Sequence, residues 1–489
     1  MPMTSAGTQN AHSHRPKSRP APDGERRLLL ISYHFPPSHE VGARRWQQLA
    51  KLAAEAGWAL DVVTLDPGDL AACDETALAE LPASVRVYGV PDRPLPLDRL
   101  VRAAVSWRRR LLTRSRTGER LVPHAPSPGR PPSIGVTELR SPFHSARDAL
   151  RAFHAWRAHV RSRTWARRAA EVAHQLLRAA HYRSVITCGP PHMVHEAGRM
   201  LRRRTGVPLI VDMRDPWSLT PRIQEEIASP LLLQWARRHE RRVVEAAALI
   251  VANTKQSRRA MQVAYPSARE RVIAILNGYD DEPVPPSQHG RCFVIGYAGS
   301  IYLDRDPRPL FRAVAATISE RGVGPDQLCL EFMGVEAGAH AALLATAAEE
   351  RIGAYVVVHP ARPHADALRF LARATMLVSL PLVSRAPDTD TSIPAKIYDY
   401  IRFDAWLLAL ANPGSATALL LQEIGADVVP PHDVDAIAAA IRARYDAYAS
   451  GARPKRPRLP ERLSRRAQAH RLFEEIERRL PAPRHESPR

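Results

Sequence analysis

The chain has 489 residues, of which 45% are hydrophobic and 25% charged, so its length suggests two to four globular domains. Its net charge is +20, but only five of the 70 basic residues are lysines, and the arginines are spread along the chain. Because no zinc-finger or RNA-binding motif accompanies them, the sequence argues against a nucleic-acid partner. The four cysteines stand singly, which gives no sign of a disulfide framework or a structural zinc site and fits a cytoplasmic setting.

The two ends of the chain and one internal segment are predicted to lie outside the folded domains. Residues 1–26 lack the apolar core of a signal peptide, and we expect disorder there and in residues 481–489. An insertion at about residues 97–165 has two arginine-rich parts on either side of residues 123–142, which are rich in Pro, Ser and Gly. Such basic helices fit a protein that lies on an anionic membrane, and they fit equally a solvated helix pair packed on its own domain. With no apolar run near about 18 residues, any membrane contact is expected to be peripheral.

A first series of strands and helices is predicted within residues 27–283. Its strands are short apolar runs typical of buried parallel strands, at residues 27–33, 58–65, 85–90, 184–188, 207–213, 248–253 and 272–276. The turn after the first strand contains Gly42, which would let a phosphate approach the backbone, although an ordinary turn glycine fits as well. A Pro-rich break at residues 283–287 then marks a domain boundary.

A second series of alternating strands and helices follows, and we assign it to a domain of residues 290–459. Its strands are predicted at residues 293–297, 329–333, 355–359, 376–379, 407–411 and 427–429. The two series predict an α/β protein with two Rossmann-like, doubly wound domains that face a central cleft, where ligands bind at the carboxyl ends of the strands. The last helix, residues 460–480, is predicted to cross back onto the first domain.

A late segment that begins at Thr391 and reads T-S-I-P-A-K-I-Y-D-Y is the first candidate for a binding site. Pro394 is typical of a first helical turn, and Thr391 and Ser392 are predicted to cap that helix. Lys396 and Asp399 would then share one helical face near an N-terminus, which suits the diphosphate and the ribose of a nucleotide. An ordinary surface ion pair on an amphipathic helix explains the same spacing, so these residues alone leave both interpretations open.

Four passages, in their order and spacing, resemble the retaining glycosyltransferases of family 4, which have the GT-B fold. The passages are Tyr33–Pro37 with Gly42 and Arg44, Asp212–Trp217, Asn277–Asp280 ahead of Gly296–Gly299, and Ile393–Tyr400 followed by Leu407–Leu410. The resemblance extends from about Leu28 to Leu480. It implies that the second domain binds a nucleotide-diphosphate sugar and that the first domain holds the acceptor.

The resemblance also implies roles for individual residues. In the donor site, Lys396 would contact the diphosphate, Asp399 the ribose and the turn at Gly299 the nucleotide, while Arg305 or Arg308 would add positive charge. The other residues assigned to binding are Ser392 on the donor side, and Gly42 and Arg44 in the acceptor or phosphate loop. Because fixed cations and a helix N-terminus can stabilise the leaving diphosphate, no metal or other cofactor is expected.

Two positions depart from the pattern of the family. The first member of the family's acidic pair is replaced by Thr391. A histidine that often touches the transferred sugar is replaced by Arg214, and Asp215 follows it. We expect Asp215 to orient the acceptor hydroxyl or act as a base, and Arg214 to pair with Asp215 or with a phosphate. These departures concern the sugar contacts and leave the expected diphosphate and ribose contacts intact.

The resulting prediction is a metal-independent hexosyltransferase that builds cell-surface glycans on a lipid-linked or polysaccharide acceptor. It would work in the cytoplasm, on the inner face of the plasma membrane. A non-catalytic GT-B-like subunit that binds a partner, and a nucleotide-sugar epimerase, are the alternatives. Residues 388–390 match a D-x-D metal motif, which we interpret as a loop. No G-x-G-x-x-G sequence follows the first strand of either series, which disfavours a dinucleotide-dependent oxidoreductase.

Overall fold

A computed structural model of the chain describes residues 26–38, 40–70, 73–93, 146–215, 217–219, 229–301, 305–380 and 390–481. Several predictions lie outside these residues: the disorder of the two ends of the chain, the first arginine-rich part of the insertion, the Pro-rich stretch that follows it, and the D-x-D loop except Asp390. Within the described part, the chain forms two parallel sheets, each with helices on both faces. This confirms the predicted fold class of two Rossmann-like domains.

The first lobe is built on a seven-stranded sheet in which every pairing is parallel. Its strands are β1 (Arg27–Ser32), β2 (Ala59–Leu65), β3 (Val85–Val90), β4 (Ser184–Gly189), β5 (Leu209–Met213), β6 (Leu249–Ala252) and β7 (Val272–Ala274), in the order β3-β2-β1-β4-β5-β6-β7. Most of these strands are continuously buried because helices cover both faces, as expected for a parallel sheet.

The described residues of the first lobe form six α-helices. They are α1 (Val41–Glu55), α2 (Glu75–Ala79), α3 (Ala146–Ala179), α4 (Val194–Thr205), α5 (Pro230–Ala246) and α6 (Lys255–Ala264). Helix α1 packs on one face of the sheet, while α3 and α4 pack on the other. The second arginine-rich part of the insertion lies within the 34 residues of α3, so it is one continuous helix.

The second lobe repeats the arrangement on a six-stranded parallel sheet. Its strands are β8 (Phe293–Ala298), β9 (Leu328–Met333), β10 (Val356–His359), β11 (Met376–Ser379), β12 (Trp406–Leu410) and β13 (Asp427–Val429), in the order β10-β9-β8-β11-β12-β13. Its helices are α7 (Arg308–Arg321), α8 (Ala337–Glu349), α9 (His364–Arg373), α10 (Ala395–Tyr400), α11 (Ala416–Glu423) and α12 (Val434–Ala449). Helices α7, α8 and α12 cover one face, and α9, α10 and α11 the other.

The last helix, α13 (Arg465–Arg479), returns to the first lobe. Its apolar residues join the core beneath α1, where Phe473 stacks on Trp58 with ring centroids 5.8 Å apart. The chain passes between the lobes twice, after β7 and before α13, and these two segments are in contact. The backbone N–H of Arg465 donates to the carbonyl of Tyr279 at 2.7 Å. Gly278 makes this approach possible, because a Cβ there would lie 2.6 Å from the Arg465 backbone. Among the described helices, none has both the length and the hydropathy to cross a bilayer.

A buried ion pair joins α1 to the carboxyl edge of the first sheet. Arg45 Nε donates to Asp212 Oδ2 at 2.9 Å, and both side chains are almost fully buried. Trp46 Nε1 donates to the same carboxylate oxygen at 2.8 Å. Arg45 also donates to Asn277 Oδ1 at 2.9 Å and to two backbone carbonyls beyond β7. Both charges of the pair are therefore satisfied, and the pair holds together α1, the end of β5 and the segment after β7.

Replacing Asp212 with Asn should strongly destabilise the protein, because the buried guanidinium of Arg45 would lose its counter-charge. Breaking a buried pair from one side typically costs about 3–5 kcal/mol. The urea midpoint of the first-lobe transition measures the effect. Glu171→Gln is the matched control, since it breaks the exposed pair of Glu171 with Arg204 in the same lobe and should leave the midpoint almost unchanged. Equal effects of the two substitutions would contradict the assigned role of Asp212.

Candidate functional site

The carboxyl edges of the two sheets face one another across a cleft. Thr254, directly after β6, donates its hydroxyl to the carbonyl of Thr391, in the loop that leads to α10. Arg402, at the other end of α10, donates to the carbonyl of Glu282 in the connection between the lobes. Ligands of doubly wound sheets bind at this edge, and the predicted site residues lie along it.

The Nζ of Lys396 is buried, and no carboxylate of the described residues pairs with it. This atom has no hydrogen-bond partner among the described residues and lies 3.7 Å from the centroid of the Tyr297 ring. Burial, and the nearby positive charge of Arg305, hold the pKa of Lys396 well below its ordinary value. An ammonium in such a place is costly unless an anion approaches it, so the group is suited to bind a negatively charged ligand.

Gly299 forms the wall opposite this ammonium. It follows β8 with a φ of +123°, a conformation that favours glycine, and a Cβ there would lie 2.7 Å from Lys396 Nζ. The side chain of Tyr400 ties β8 to α10, because its hydroxyl accepts from the N–H of Ala298 at 2.7 Å and donates to the carbonyl of the same residue at 3.1 Å. Gly299 and Lys396 are therefore held in register with each other.

Asp399 faces a different part of the cleft from Lys396. Its Oδ1 lies 3.6 Å from Arg402 Nη1, and the side chain is about one quarter exposed. Burial lowers the pKa of Arg44 in the first lobe, but Asp399 and Asp280 more than offset this, so that pKa is raised. Asp399 therefore lies at the boundary between the lobes. A surface ion pair between Lys396 and Asp399, the alternative explanation of their spacing, is not formed.

The predicted capping of α10 is wrong. The helix begins at Ala395, its N-cap is Pro394, and no side chain caps it. Thr391 and Ser392 are instead buried in the extended loop, where the carbonyl of Ser392 accepts from Thr417 Oγ1 at 3.1 Å. With six residues, α10 is also too short for its dipole to contribute much, so the positive charge at this position comes mainly from Lys396.

The two arginines predicted to assist Lys396 have different positions. Arg305 Nη1 donates to the carbonyl of Ser300 at 3.1 Å, and its charge is close enough to lower the pKa of Lys396. Arg308 is the first residue of α7, and its Nη1 lies 3.7 Å from the carboxylate of Asp306. The structure therefore brings Arg305 to the candidate donor site, whereas Arg308 is directed to Asp306.

On the first lobe, Arg214 lies directly against Gly42. A side chain at position 42 would collide with the guanidinium of Arg214 in its present place, so Gly42 leaves room for that guanidinium. Arg214 Nε is 3.6 Å from Asp215 Oδ2, and its Nη2 donates to the carbonyl of Pro190 at 3.5 Å, both long contacts for a guanidinium that is only 15% exposed. The expected proximity of Arg214 and Asp215 is present, and Arg214 retains donors for a ligand.

Arg44 is engaged by a carboxylate. Its Nη2 donates to Asp280 Oδ2 at 2.8 Å, and the other oxygen of Asp280 accepts from Arg465 Nε at 2.5 Å. Burial raises the pKa of Asp280, but the two arginines outweigh it and lower that pKa overall. Arg44 therefore connects α1 to the crossing between the lobes in addition to facing the cleft.

Two histidines that the sequence analysis did not assign border the first-lobe part of the cleft. Burial lowers the pKa of His34, and the charge of Arg214 lowers it further. Burial, His195 and Arg214 likewise hold the pKa of His192 well below its ordinary value. Both rings are therefore neutral near pH 7. Each follows the end of a strand, β1 or β4, which is the signal that could have identified them.

No family model matches the sequence, and no curated protein sequence matches it either. Solved structures do match. Sucrose-phosphate synthase from Thermosynechococcus elongatus aligns with a TM-score of 0.54 over 93% of this chain and 98% of its own, at 15% sequence identity. An α,α-trehalose 6-phosphate synthase from Burkholderia multivorans aligns with a TM-score of 0.53 over 92% of this chain and 96% of its own, at 10% identity. The fold is GT-B.

WaaG, a glycosyltransferase involved in lipopolysaccharide biosynthesis, has the same GT-B architecture. It aligns with a TM-score of 0.50 over 92% of this chain and 95% of its own, at 12% identity. At these identities the likeness concerns the fold alone. In the described part of the chain, no three or more His, Cys, Asp or Glu side chains are grouped so as to hold a metal ion.

Replacing Lys396 with Met should raise the melting temperature of the ligand-free protein at neutral pH. The pKa of Lys396 is lower in the folded than in the unfolded chain, so its charge destabilises the fold. That cost is complete below the pKa in the folded state and disappears as the pH rises towards the ordinary pKa of lysine. The advantage of the variant should therefore shrink on going from pH 7 to pH 10. Thermal unfolding across this range measures it.

The control for this experiment is Lys51→Met, which removes a lysine that pairs with the exposed carboxylate of Glu80 at 2.8 Å. This variant should gain no stability at neutral pH. A Lys396→Met protein that is less stable than the wild type at pH 7 would show that the lysine is a structural residue.

Proposed function

We propose that the chain is a retaining glycosyltransferase of the family 4 type, which transfers a hexose from a nucleotide-diphosphate donor to a glycan or lipid-linked acceptor. The observation that carries the proposal is the uncompensated ammonium of Lys396 opposite Gly299. An anion that approaches Lys396 Nζ along the turn at Gly299 would restore the lysine's charge balance and meet no side chain of residue 299. A diphosphate has the negative charge that this position favours.

Different residues of the second lobe would bind different parts of the nucleotide. Lys396 and Arg305 stabilise the negative charge that develops on the diphosphate as the sugar leaves. The carboxylate of Asp399 accepts hydrogen bonds from ribose hydroxyls at the boundary between the lobes. Thr391, whose buried hydroxyl lacks a partner among the described residues, offers a neutral contact near Ser392 where the family has an acid.

The first lobe would present the acceptor to the donor sugar. Asp215 is partly exposed beside Arg214, so its carboxylate can orient the acceptor hydroxyl or take its proton. In the retaining reaction, the hydroxyl attacks on the face that the diphosphate leaves, and the departing phosphate helps to accept the proton. No protein nucleophile and no metal ion take part. Closure across residues 283–287 would exclude water from the assembled site.

The position in the cell follows from the acceptor. A lipid-linked or growing surface glycan is accessible to a cytoplasmic enzyme at the inner face of the plasma membrane, where a basic protein is attracted to anionic lipids. The reaction would then be a step in the synthesis of a surface polysaccharide.

A panel of UDP, GDP, ADP and TDP sugars should identify the donor through thermal stabilisation. One nucleotide should raise the melting temperature by several degrees, because a hundredfold excess over Kd stabilises a protein by about 2.7 kcal/mol. Lys396→Met should lose this response while keeping its higher intrinsic stability. A wild-type protein that responds to none of the four would favour a non-catalytic subunit, and conversion of the sugar without transfer would favour an epimerase.

The role of Asp399 can be tested with deoxynucleotides. Asp399→Asn should weaken binding of the selected nucleoside diphosphate by about 10–100-fold, because hydrogen bonds to a charged group contribute about 1.5–3 kcal/mol. For the 2′,3′-dideoxy analogue, the same substitution should have little effect, since the carboxylate then has no hydroxyl to accept from. Titration calorimetry measures the Kd of both ligands for the wild type and for the variant, which gives a double-mutant-type cycle. If Asp399→Asn weakened the binding of both ligands equally, Asp399 would not bind the ribose hydroxyls.

A further inference from the structure

Helices α3 and α5 leave an apolar groove at the surface of the first lobe. It is lined mainly by Phe153 and Trp156 of α3 and by Leu231, Leu232 and Trp235 of α5. Leu231 is 67% exposed and Trp235 42% exposed. Large hydrophobic side chains with this much exposure are few in the described part of the chain, and Leu150, 57% exposed, is a third in the same region. A concentration of this kind marks an interaction surface.

The apolar face continues directly into a basic one. On α5, Leu231 and Trp235 are followed on the same side by Arg238 and Arg242, both exposed, at spacings of three and four residues. Helix α3 carries eight arginines and only two acidic residues. The occupant of this surface should therefore have an apolar interior and an anionic rim.

The groove lies on the same side of the lobe as the cleft. Trp165 of α3 donates through Nε1 to the carbonyl of Val90, the last residue of β3, at 3.0 Å, so this part of α3 is level with the carboxyl edge of the sheet. Phe153 precedes Trp165 by three helical turns and is therefore about 18 Å farther out. Helix α3 thus extends beyond the edge at which the ligands bind.

Helix α5 has the same disposition. Ser218, just beyond β5, donates its backbone N–H to Glu240 Oε2 at 3.0 Å, which places Glu240 level with the carboxyl edge. Leu231 precedes Glu240 by nine residues, about 14 Å along the helix. Both walls of the groove therefore project past the sheet, next to the entrance of the cleft.

We propose that this α3–α5 face docks on an anionic bilayer, with Leu231 and Trp235 inserted at the interface and the arginines against the phosphates of the headgroups. Trp235 beside exposed arginines suits the boundary between headgroups and acyl chains, where aromatic rings lie at the headgroup level and basic side chains meet the lipid phosphates. The inference rests on the proposed function and specifies how a membrane-bound acceptor reaches the site. Docking here would hold the cleft at the membrane surface.

Co-sedimentation of the full chain with vesicles tests the proposal. The wild type should bind vesicles of phosphatidylglycerol and phosphatidylcholine and bind much less to phosphatidylcholine alone. The double variant Leu231→Glu/Trp235→Glu should partition at least tenfold less onto the anionic vesicles. Val263→Glu is the matched control, because Val263 is 81% exposed on α6 and outside the groove; it should bind like the wild type.

Two further measurements make the outcome decisive. Leu231→Glu alone changes a side chain that is mostly in solvent, so it should fold and still lose most of the binding. Nucleotide-dependent thermal stabilisation should be unchanged in both groove variants, which separates a failure of docking from a failure of the donor site. Wild-type protein that ignores anionic vesicles, variants that bind them normally, or a groove variant that instead dissociates a dimer in sedimentation would each overturn the proposal.

Discussion

Two consecutive arginines near the start of α1 fix this helix to the first sheet and to the segments that connect the two lobes. Arg45 points inward and satisfies its charge on Asp212 at the edge of the sheet, while Arg44 points towards the cleft and binds Asp280. Asp280 also binds Arg465, the first residue of the helix that returns from the second lobe. Because neighbouring residues on a helix face different directions, one helical turn serves both the core and the lobe boundary. The position of α1 relative to the second lobe depends on this turn.

Arg45 and Lys396 are both buried cations, but the protein treats them in opposite ways. Arg45 receives a carboxylate, an amide oxygen and backbone carbonyls, so its burial is compensated within the fold. Lys396 receives the face of an aromatic ring and no acceptor among the described residues. The first arrangement stabilises a structure, and the second retains the capacity to bind an anion at a cost in stability. The partners of the two cations, more than their burial, therefore distinguish Arg45 from Lys396.

The fold was predictable from the sequence because buried parallel strands are continuous apolar runs whose length and order are local properties. The pairing of Gly299 with Lys396 was expected only through the resemblance to a family, since 97 positions separate the two residues. The hydroxyl of Tyr400, which joins β8 to α10, was not predicted, because helical spacing indicates a buried face but not a hydrogen-bond partner. The capping prediction failed for a related reason: Thr391 and Ser392 are drawn into contacts with Thr254 and Thr417, which no local pattern reveals.

The parallel topology explains why binding residues and the α3–α5 face occur on one side of the molecule. Every strand of a parallel sheet ends at the same edge, so the loops with His34 and Arg214 lie at one edge of the first sheet, and the turn at Gly299 lies at the corresponding edge of the second sheet. Each helix that leads into the next strand begins at that edge as well, and a helix longer than its strand has to extend past it. Helix α3, with 34 residues beside strands of about six, is such a helix. The length of α3 alone therefore places a surface on its first turns close to the cleft. A change in the length of α3 would alter the height of the cleft above whatever surface its first turns contact.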